Sequence, residues 1–311
     1  MLQIIRQFKK VKVGVDTWLD FFAYCLQSII YKATHKCCWI YDRVRLNKRF
    51  KSKFYNKKKK EFIIKDIKFP NMDADNEIHF PEVFDDTLSS YYYLEDSYDE
   101  FTFDKCDEYL CEGLYGFIND RVNVTVKPGD IVIDAGSWIG DFAAYASLKV
   151  GIYGKIFAFE PTDKTFKYLE QTASLNNNNI IPLKKGLSNE NKTISLYMDV
   201  FGHSLGNTMM NKESSKDYVK SSNTVEVIRL DDFVRENNLS HVDFIKADIE
   251  GFERYMLEGA QETLRKFAPK LAICTYHLPD DPEVIAALIK KANPAYNIVQ
   301  KRKKLFASVP K

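Results

Sequence analysis

The sequence predicts an α/β fold built on a mostly parallel sheet, and three observations carry that reading. From Val122 onward, short β-branched or aromatic runs alternate with longer helical patterns, the signature of βαβ units. A glycine-bearing turn, Asp134-Ala135-Gly136, ends the first of these runs, and the next run ends on an acid, Glu160. The chain closes on two strand-like runs, Tyr296 to Lys301 and Lys304 to Val309, joined by a short basic turn that suits an antiparallel hairpin.

Taken in order, strands are expected at Ile131 to Asp134, Lys155 to Glu160, Ile180 to Lys185, Phe244 to Asp248 and Leu271 to Tyr276, with helices between most of them. After Asp248 the apolar set Phe252, Met256, Leu257, Ala260 and Leu264 recurs at helical spacing. Another helix follows Pro282, from Val284 to Lys291. The run Asn176 to Asn179 reads as a solvated loop, and the stretch from Phe201 to Thr224 as a loop that shapes an acceptor site.

The first 120 residues are organised by charge. A formal net charge of +2 conceals a basic start, with three acids (Asp16, Asp20, Asp42) before Lys57 to Lys60, and an acidic stretch from 71 to 120 with one base, Lys105. These blocks either neutralise each other or leave the basic arm to meet an anionic membrane or glycan. The run Trp18 to Tyr31 is too short and too polar to span a bilayer. Its apolar face (Trp18, Phe22, Cys25, Ile29) suits a helix docked on the protein or on a membrane surface. Residues 50 to 70 read as a linker or frayed helix, and 72 to 125, with Tyr91, Tyr92, Tyr93 and Tyr98, as a small cap.

Six scattered cysteines show neither a disulfide rhythm nor paired metal spacing; His35 with Cys37 and Cys38 lacks a second ligand pair. No run reads as a signal peptide. The expected setting is the cytoplasm, with peripheral contact at the inner face of the membrane and no nucleic-acid partner.

Three clusters carry the chemistry. In Gly129-Asp130-Ile131-Val132-Ile133-Asp134-Ala135-Gly136-Ser137-Trp138-Ile139-Gly140, a strand runs into a turn where Gly136 admits a ligand and Gly140 lets the next helix pack close. Asp134 there favours the cationic end of a ligand, and the G-x-G-x-x-G of a dinucleotide site is missing, which disfavours a nicotinamide oxidoreductase. Glu160, in Phe157-Ala158-Phe159-Glu160-Pro161, stands where an acid accepts both hydroxyls of a ribose. Asp248 and Glu250, in Lys246-Ala247-Asp248-Ile249-Glu250-Gly251-Phe252-Glu253, could orient an acceptor hydroxyl, take its proton or hold Mg²⁺; no metal is assigned. Glu253 suits a helix N-terminus. His277, after the next strand, is the candidate general base.

These motifs, in this order, resemble the FkbM-type methyltransferases, within the class I S-adenosylmethionine-dependent enzymes. The resemblance spans roughly residues 112 to 301 and includes Glu112-Gly113-Leu114-Tyr115, Lys185-Gly186-Leu187-Ser188 and Arg229-Leu230-Asp231-Asp232-Phe233. It implies a Rossmann-like sheet of seven strands with the last antiparallel, S-adenosylmethionine as donor, and a hydroxyl on a sugar, glycan or natural product as acceptor. By position, Asp134, Gly136, Ser137, Trp138 and Gly140 would form the donor loop, and Glu160 with Pro161 the ribose contact. Leu187 and Ser188 would line the adenine side, and Asp248 and Glu250 are the family's acidic pair. The implied organisation is a basic helical extension (1–70), an acidic aromatic cap (71–121) and the methyltransferase domain (122–311). A non-catalytic module assembling on glycan or membrane machinery through its basic arm is the rival reading.

Overall fold

The computed structural model describes residues 55–56, 58–59, 61–64, 66–71, 115–199, 208–210 and 218–310, and every structural statement here concerns these. The chain divides into two compact units, Met1–Tyr55 and Asn56–Lys311. The basic arm, its amphipathic run, the His35-Cys37-Cys38 cluster and the tyrosines at 91–93 lie outside the described residues.

The second unit is organised around one seven-stranded sheet. Its strands are β5 (Ile131–Ala135), β6 (Lys155–Phe159), β7 (Ile180–Leu183), β11 (Phe244–Ala247), β12 (Lys270–Cys274), β13 (Asn297–Lys301) and β14 (Lys304–Ser308). Preceding or interleaved with them are β1 (Glu61–Ile64), β2 (Ile67–Pro70), β3 (Phe117–Ile118), β4 (Asn123–Val124), β8 (Gly186–Ser188), β9 (Lys192–Asp199) and β10 (Tyr218–Arg229). The sheet order is β13-β14-β12-β11-β5-β6-β7, and β14 alone runs antiparallel to both neighbours. Consecutive strands thus start from the middle and proceed outward on each side, so the reversal of order falls between β5 and β11, where ligands bind in such sheets.

The central strands read as near-continuous apolar runs because both faces are covered. Ile133, Ala135, Ile245, Ala247, Leu271 and Ile273 join a buried core with α3 (Leu230–Glu236), α4 (Glu253–Glu258), α5 (Gln261–Phe267) and α6 (Asp281–Ala292). The alternate residues point the other way, where Phe244 stacks at 6.0 Å on Phe142 of α1 (Asp141–Val150). The expected set Phe252, Met256, Leu257, Ala260 and Leu264 is buried throughout. It is split between α4 and α5, because Gly259 breaks the helix where Ser188 approaches: a Cβ there would lie 2.0 Å from the Ser188 carbonyl oxygen.

Three expectations are corrected. Residues 61–70, read as linker or frayed helix within a helical extension, form the β1–β2 hairpin, with Phe62, Ile67 and Phe69 buried. Asn176–Asn179 is no mere solvated loop. Asn176, ending α2 (Asp163–Leu175), exchanges two hydrogen bonds with the Lys68 backbone (3.0 and 2.8 Å), while buried Asn179 accepts from Ser147 Oγ at 2.6 Å. The stretch read as a loop to Thr224 contains strand from Tyr218 onward: β10 pairs antiparallel with β9 and parallel with β8 in a second, smaller sheet. No helix among the described residues is long and apolar enough to cross a membrane.

Candidate active site

A cavity of about 270 Å³ opens at the C-terminal ends of β5, β6, β11 and β12. Its floor is the turn after β5. Gly136 has φ +74°, and a Cβ on it would sit 1.9 Å from the Asp248 carbonyl oxygen, so only glycine allows the two strand ends to meet. Gly140, at φ +88°, caps α1 and lets Leu169 and Thr172 of α2 press against the turn.

Asp134 does not face the cavity. It is fully buried, accepts the Ser137 hydroxyl at 2.6 Å and pairs at 3.1 Å with Lys246, its register partner on β11. The expected attraction of a ligand's cationic end therefore cannot come from Asp134, and Ser137 acts on that carboxylate rather than on a ligand. Lys246 also donates to the Gly136 carbonyl at 2.5 Å, so a buried cation ties the donor turn to β11. Burial works against that charge, yet Asp134, Asp248 and Asp141 outweigh it and raise the ammonium pKa above its ordinary value.

On the cavity wall stand Gly136, Trp138, Asp141, Glu160, Pro161, Leu187 and Lys246. Glu160, 7% exposed, accepts the Trp138 N–H on Oε2 (3.1 Å) and the Thr162 N–H and Thr165 hydroxyl on Oε1 (2.9 and 2.8 Å). Burial raises its pKa, opposed by those hydrogen bonds. Burial also lifts Asp141, beside Lys246 and Asp134, to about 6. Ser188 is buried and is not among the lining residues; Leu187 lines the apolar side with Leu196, Met209 and Ile249.

At the other end the expected trio converges. His277 Nε2 lies 3.6 Å from Asp248 Oδ1 and 3.5 Å from Glu250 Oε1, while Nδ1 lies 3.0 Å from Glu253 Oε1. Asp248 accepts the Tyr115 hydroxyl at 2.7 Å and the Tyr276 hydroxyl at 3.1 Å, one on each oxygen. Against its own burial, His277 and Lys246 bring Asp248 down to about 2. Glu250 stands in left-handed backbone (φ +54°), and burial raises its pKa. Burial disfavours the imidazolium, but Glu250, Glu253 and Asp248 push His277 up to about 11. The three carboxylates thus favour the charged ring, which weighs against the expected role of His277 as general base.

Sequence reasoning missed Tyr115, Asp141, Lys246 and Tyr276. A usable signal existed only for Lys246, a charge inside the otherwise apolar strand Phe244 to Ala247, whose other residues are buried.

The family description "Methyltransferase FkbM domain" matches residues 133–295, more than half of the chain. The chain belongs to the FkbM methyltransferase family. Among curated proteins, the hexuronic acid methyltransferase AglP of Haloferax volcanii is 28% identical over 163 residues, covering 52% of this chain and 62% of that protein. Methyltransferase 1 of Beauveria bassiana is 29% identical over 164 residues, 47% of this chain and 65% of that protein. The matches thus span less than two thirds of these relatives' own lengths. A solved methyltransferase FkbM from Methylobacillus flagellatus is 20% identical with a TM-score of 0.43, over 58% of this chain and 43% of that one.

Membership of this methyltransferase family implies S-adenosylmethionine as the methyl donor, and the residues lining the cavity fit it. A buried carboxylate suits a ribose diol, an apolar wall suits adenine, and the Asp141 carboxylate on the cavity wall suits an α-ammonium.

Proposed function

We propose that the chain transfers a methyl group to a hydroxyl on a sugar, glycan or natural-product acceptor. The observation that carries this reading is the cavity's polarity. The ribose-type carboxylate Glu160 lines one part, and the acidic pair Asp248 and Glu250 lines another. The name of the Haloferax volcanii relative, a hexuronic acid methyltransferase, supports a sugar acceptor.

S-adenosylmethionine supplies a methyl group already activated by its cationic sulfur, which leaves alignment and water exclusion as the protein's main work. Glu160 holds the ribose. Asp141 receives the α-ammonium of the methionine end. Asp248, fixed by two tyrosine hydroxyls, orients the acceptor hydroxyl. Glu250, partly exposed and with a raised pKa, is better placed than Asp248 to take the acceptor's proton. His277 holds both carboxylates in register.

Labelled-methyl transfer to a panel of hexoses, hexuronates and their glycosides tests the reading. The expected result is an O-methyl product lost in Glu250→Gln. Methylation on nitrogen or carbon would contradict it.

A further inference from the structure

Five ionisable side chains meet where β11 and β12 end: Asp248, Glu250, Glu253, His277 and Asp281. Two carboxylates are already committed. Glu253, fully buried, accepts the Ile249 N–H at 2.8 Å and the Gly251 N–H at 3.0 Å. Asp281 accepts the Leu278 N–H at 2.8 Å and pairs with Arg254 at 2.6 Å. Asp248, Glu250 and His277 remain, and Asp248 Oδ1, which also accepts the Tyr276 hydroxyl at 3.1 Å, faces His277 Nε2 together with Glu250 Oε1.

We propose that Asp248 Oδ1, Glu250 Oε1 and His277 Nε2 form a binding site for a divalent first-row transition ion. The three side chains offer donor atoms that all lie within 4.8 Å of one another. Nε2 stands 3.6 Å from the Asp248 oxygen and 3.5 Å from the Glu250 oxygen. These two separations are those of donors sharing an ion at about 2 Å from each, the bond length such ions make to imidazole nitrogen and carboxylate oxygen. That spacing is longer than a usual hydrogen bond, and an ion that displaces the imidazole proton would find these atoms as common ligands.

His277 supplies an independent observation. Its side chain is 8% exposed, and neither ring nitrogen has an aligned hydrogen-bond partner among the described residues. Nδ1 sits 3.0 Å from Glu253 Oε1, and metal-bound histidines turn their second nitrogen to a carboxylate in this way. Because backbone N–H groups hold both Glu253 oxygens, the carboxylate that orients the ring cannot itself swing in as a ligand. Glu250 is held in left-handed backbone, with its carbonyl accepting the Thr208 hydroxyl at 2.6 Å. Strain of that kind persists where the surroundings impose it.

One imidazole with two carboxylates suits Mn²⁺, Fe²⁺ or Zn²⁺ better than an all-oxygen ion such as Ca²⁺. Two carboxylates also neutralise a divalent charge. Asp248 and Glu250 line the cavity, so the ion would keep a face open to the acceptor's oxygens. That purpose rests on the proposed methyl transfer; the binding itself does not.

Full-length protein, stripped with chelator and dialysed, is titrated with MnCl₂ while the electron paramagnetic resonance signal of free Mn²⁺ is followed. The expected result is one saturable equivalent per chain. Glu250→Gln and His277→Gln should each weaken it at least about tenfold, and Glu253→Gln, which frees the ring, about 10- to 100-fold. S-adenosylhomocysteine binding should stay within about twofold in Glu250→Gln, since this variant leaves Glu160 and Asp141 intact. If His277→Gln fails to fold, Glu250→Gln alone decides. No saturable Mn²⁺ binding, or binding indifferent to Glu250→Gln, overturns the site. Because the readout is independent of catalysis, a missing methyl product would overturn the proposed activity and leave the ion site standing.

Discussion

Replacing Lys246 by Met would test the electrostatic account of the donor turn. Lys246 and Asp134 are register partners on adjacent strands, 4% and 0% exposed, with Nζ and Oδ1 3.1 Å apart. Methionine matches the lysine stem in length, so packing is largely retained and the charge is what goes. Asp134 would then keep only the Ser137 hydroxyl, and the Gly136 carbonyl would lose its donor. Removing one partner of a buried pair costs about 3–5 kcal/mol, because the remaining charge stays desolvated. For a domain of this size, each kcal/mol lowers the melting temperature by roughly 2–4 °C, giving a drop of about 6–20 °C. Thermal and urea denaturation of Lys246→Met, Asp134→Asn and the double variant would measure it. The double variant should be more stable than Lys246→Met, since it removes the stranded carboxylate. A Lys246→Met protein within about 0.5 kcal/mol of the parent, the range of an ordinary surface change, would refute the reasoning.

Further outcomes follow from three positions on the cavity. Hydrogen bonds to charged groups contribute about 1.5–3 kcal/mol, so calorimetry should show Glu160→Gln weakening S-adenosylhomocysteine roughly 10- to 150-fold. Glu160→Ala should also lower the melting temperature, because it strands the Trp138 and Thr162 N–H groups. Asp141 binds the α-ammonium only when ionised, and its pKa is about 6. Donor affinity should therefore hold above that pH and fall as pH drops through it, approaching tenfold per unit; Asp141→Asn should flatten the profile. Gly136→Ala drives a Cβ into the Asp248 carbonyl and should cost more than about 4 kcal/mol, read as loss of folded protein in denaturant titration.

Much of the fold was legible because parallel strands buried on both faces appear as apolar runs ending in glycine or acid. Ile131–Ala135, Lys155–Phe159 and Phe244–Ala247 fall within a residue of where periodicity put them. β10 was obscured: Ser221, Ser222 and Asn223 read as loop, although Val225 and Val227 alternate inward beyond them. Glu160 lines the cavity, and its position after the second strand fixes that direction. Asp134 was read as facing the ligand because sequence places it at a strand end but does not reveal that Lys246 stands beside it one strand away. His277 illustrates the same limit. A lone histidine in sequence looks like a base near neutral pH, whereas its charge here is set by Asp248, Glu250 and Glu253, which only the fold brings within 3.6 Å of its ring. Tyr115 precedes the first sheet strand by sixteen residues in sequence and reaches Asp248 only through the tertiary fold.

The most direct measurement is calorimetric titration of the full chain with S-adenosylmethionine and S-adenosylhomocysteine beside NAD. The account predicts saturable binding of both adenosyl ligands at one site, weakened in Glu160→Gln, and none for NAD. Absence of binding to either adenosyl ligand, or binding untouched by Glu160→Gln, would contradict it.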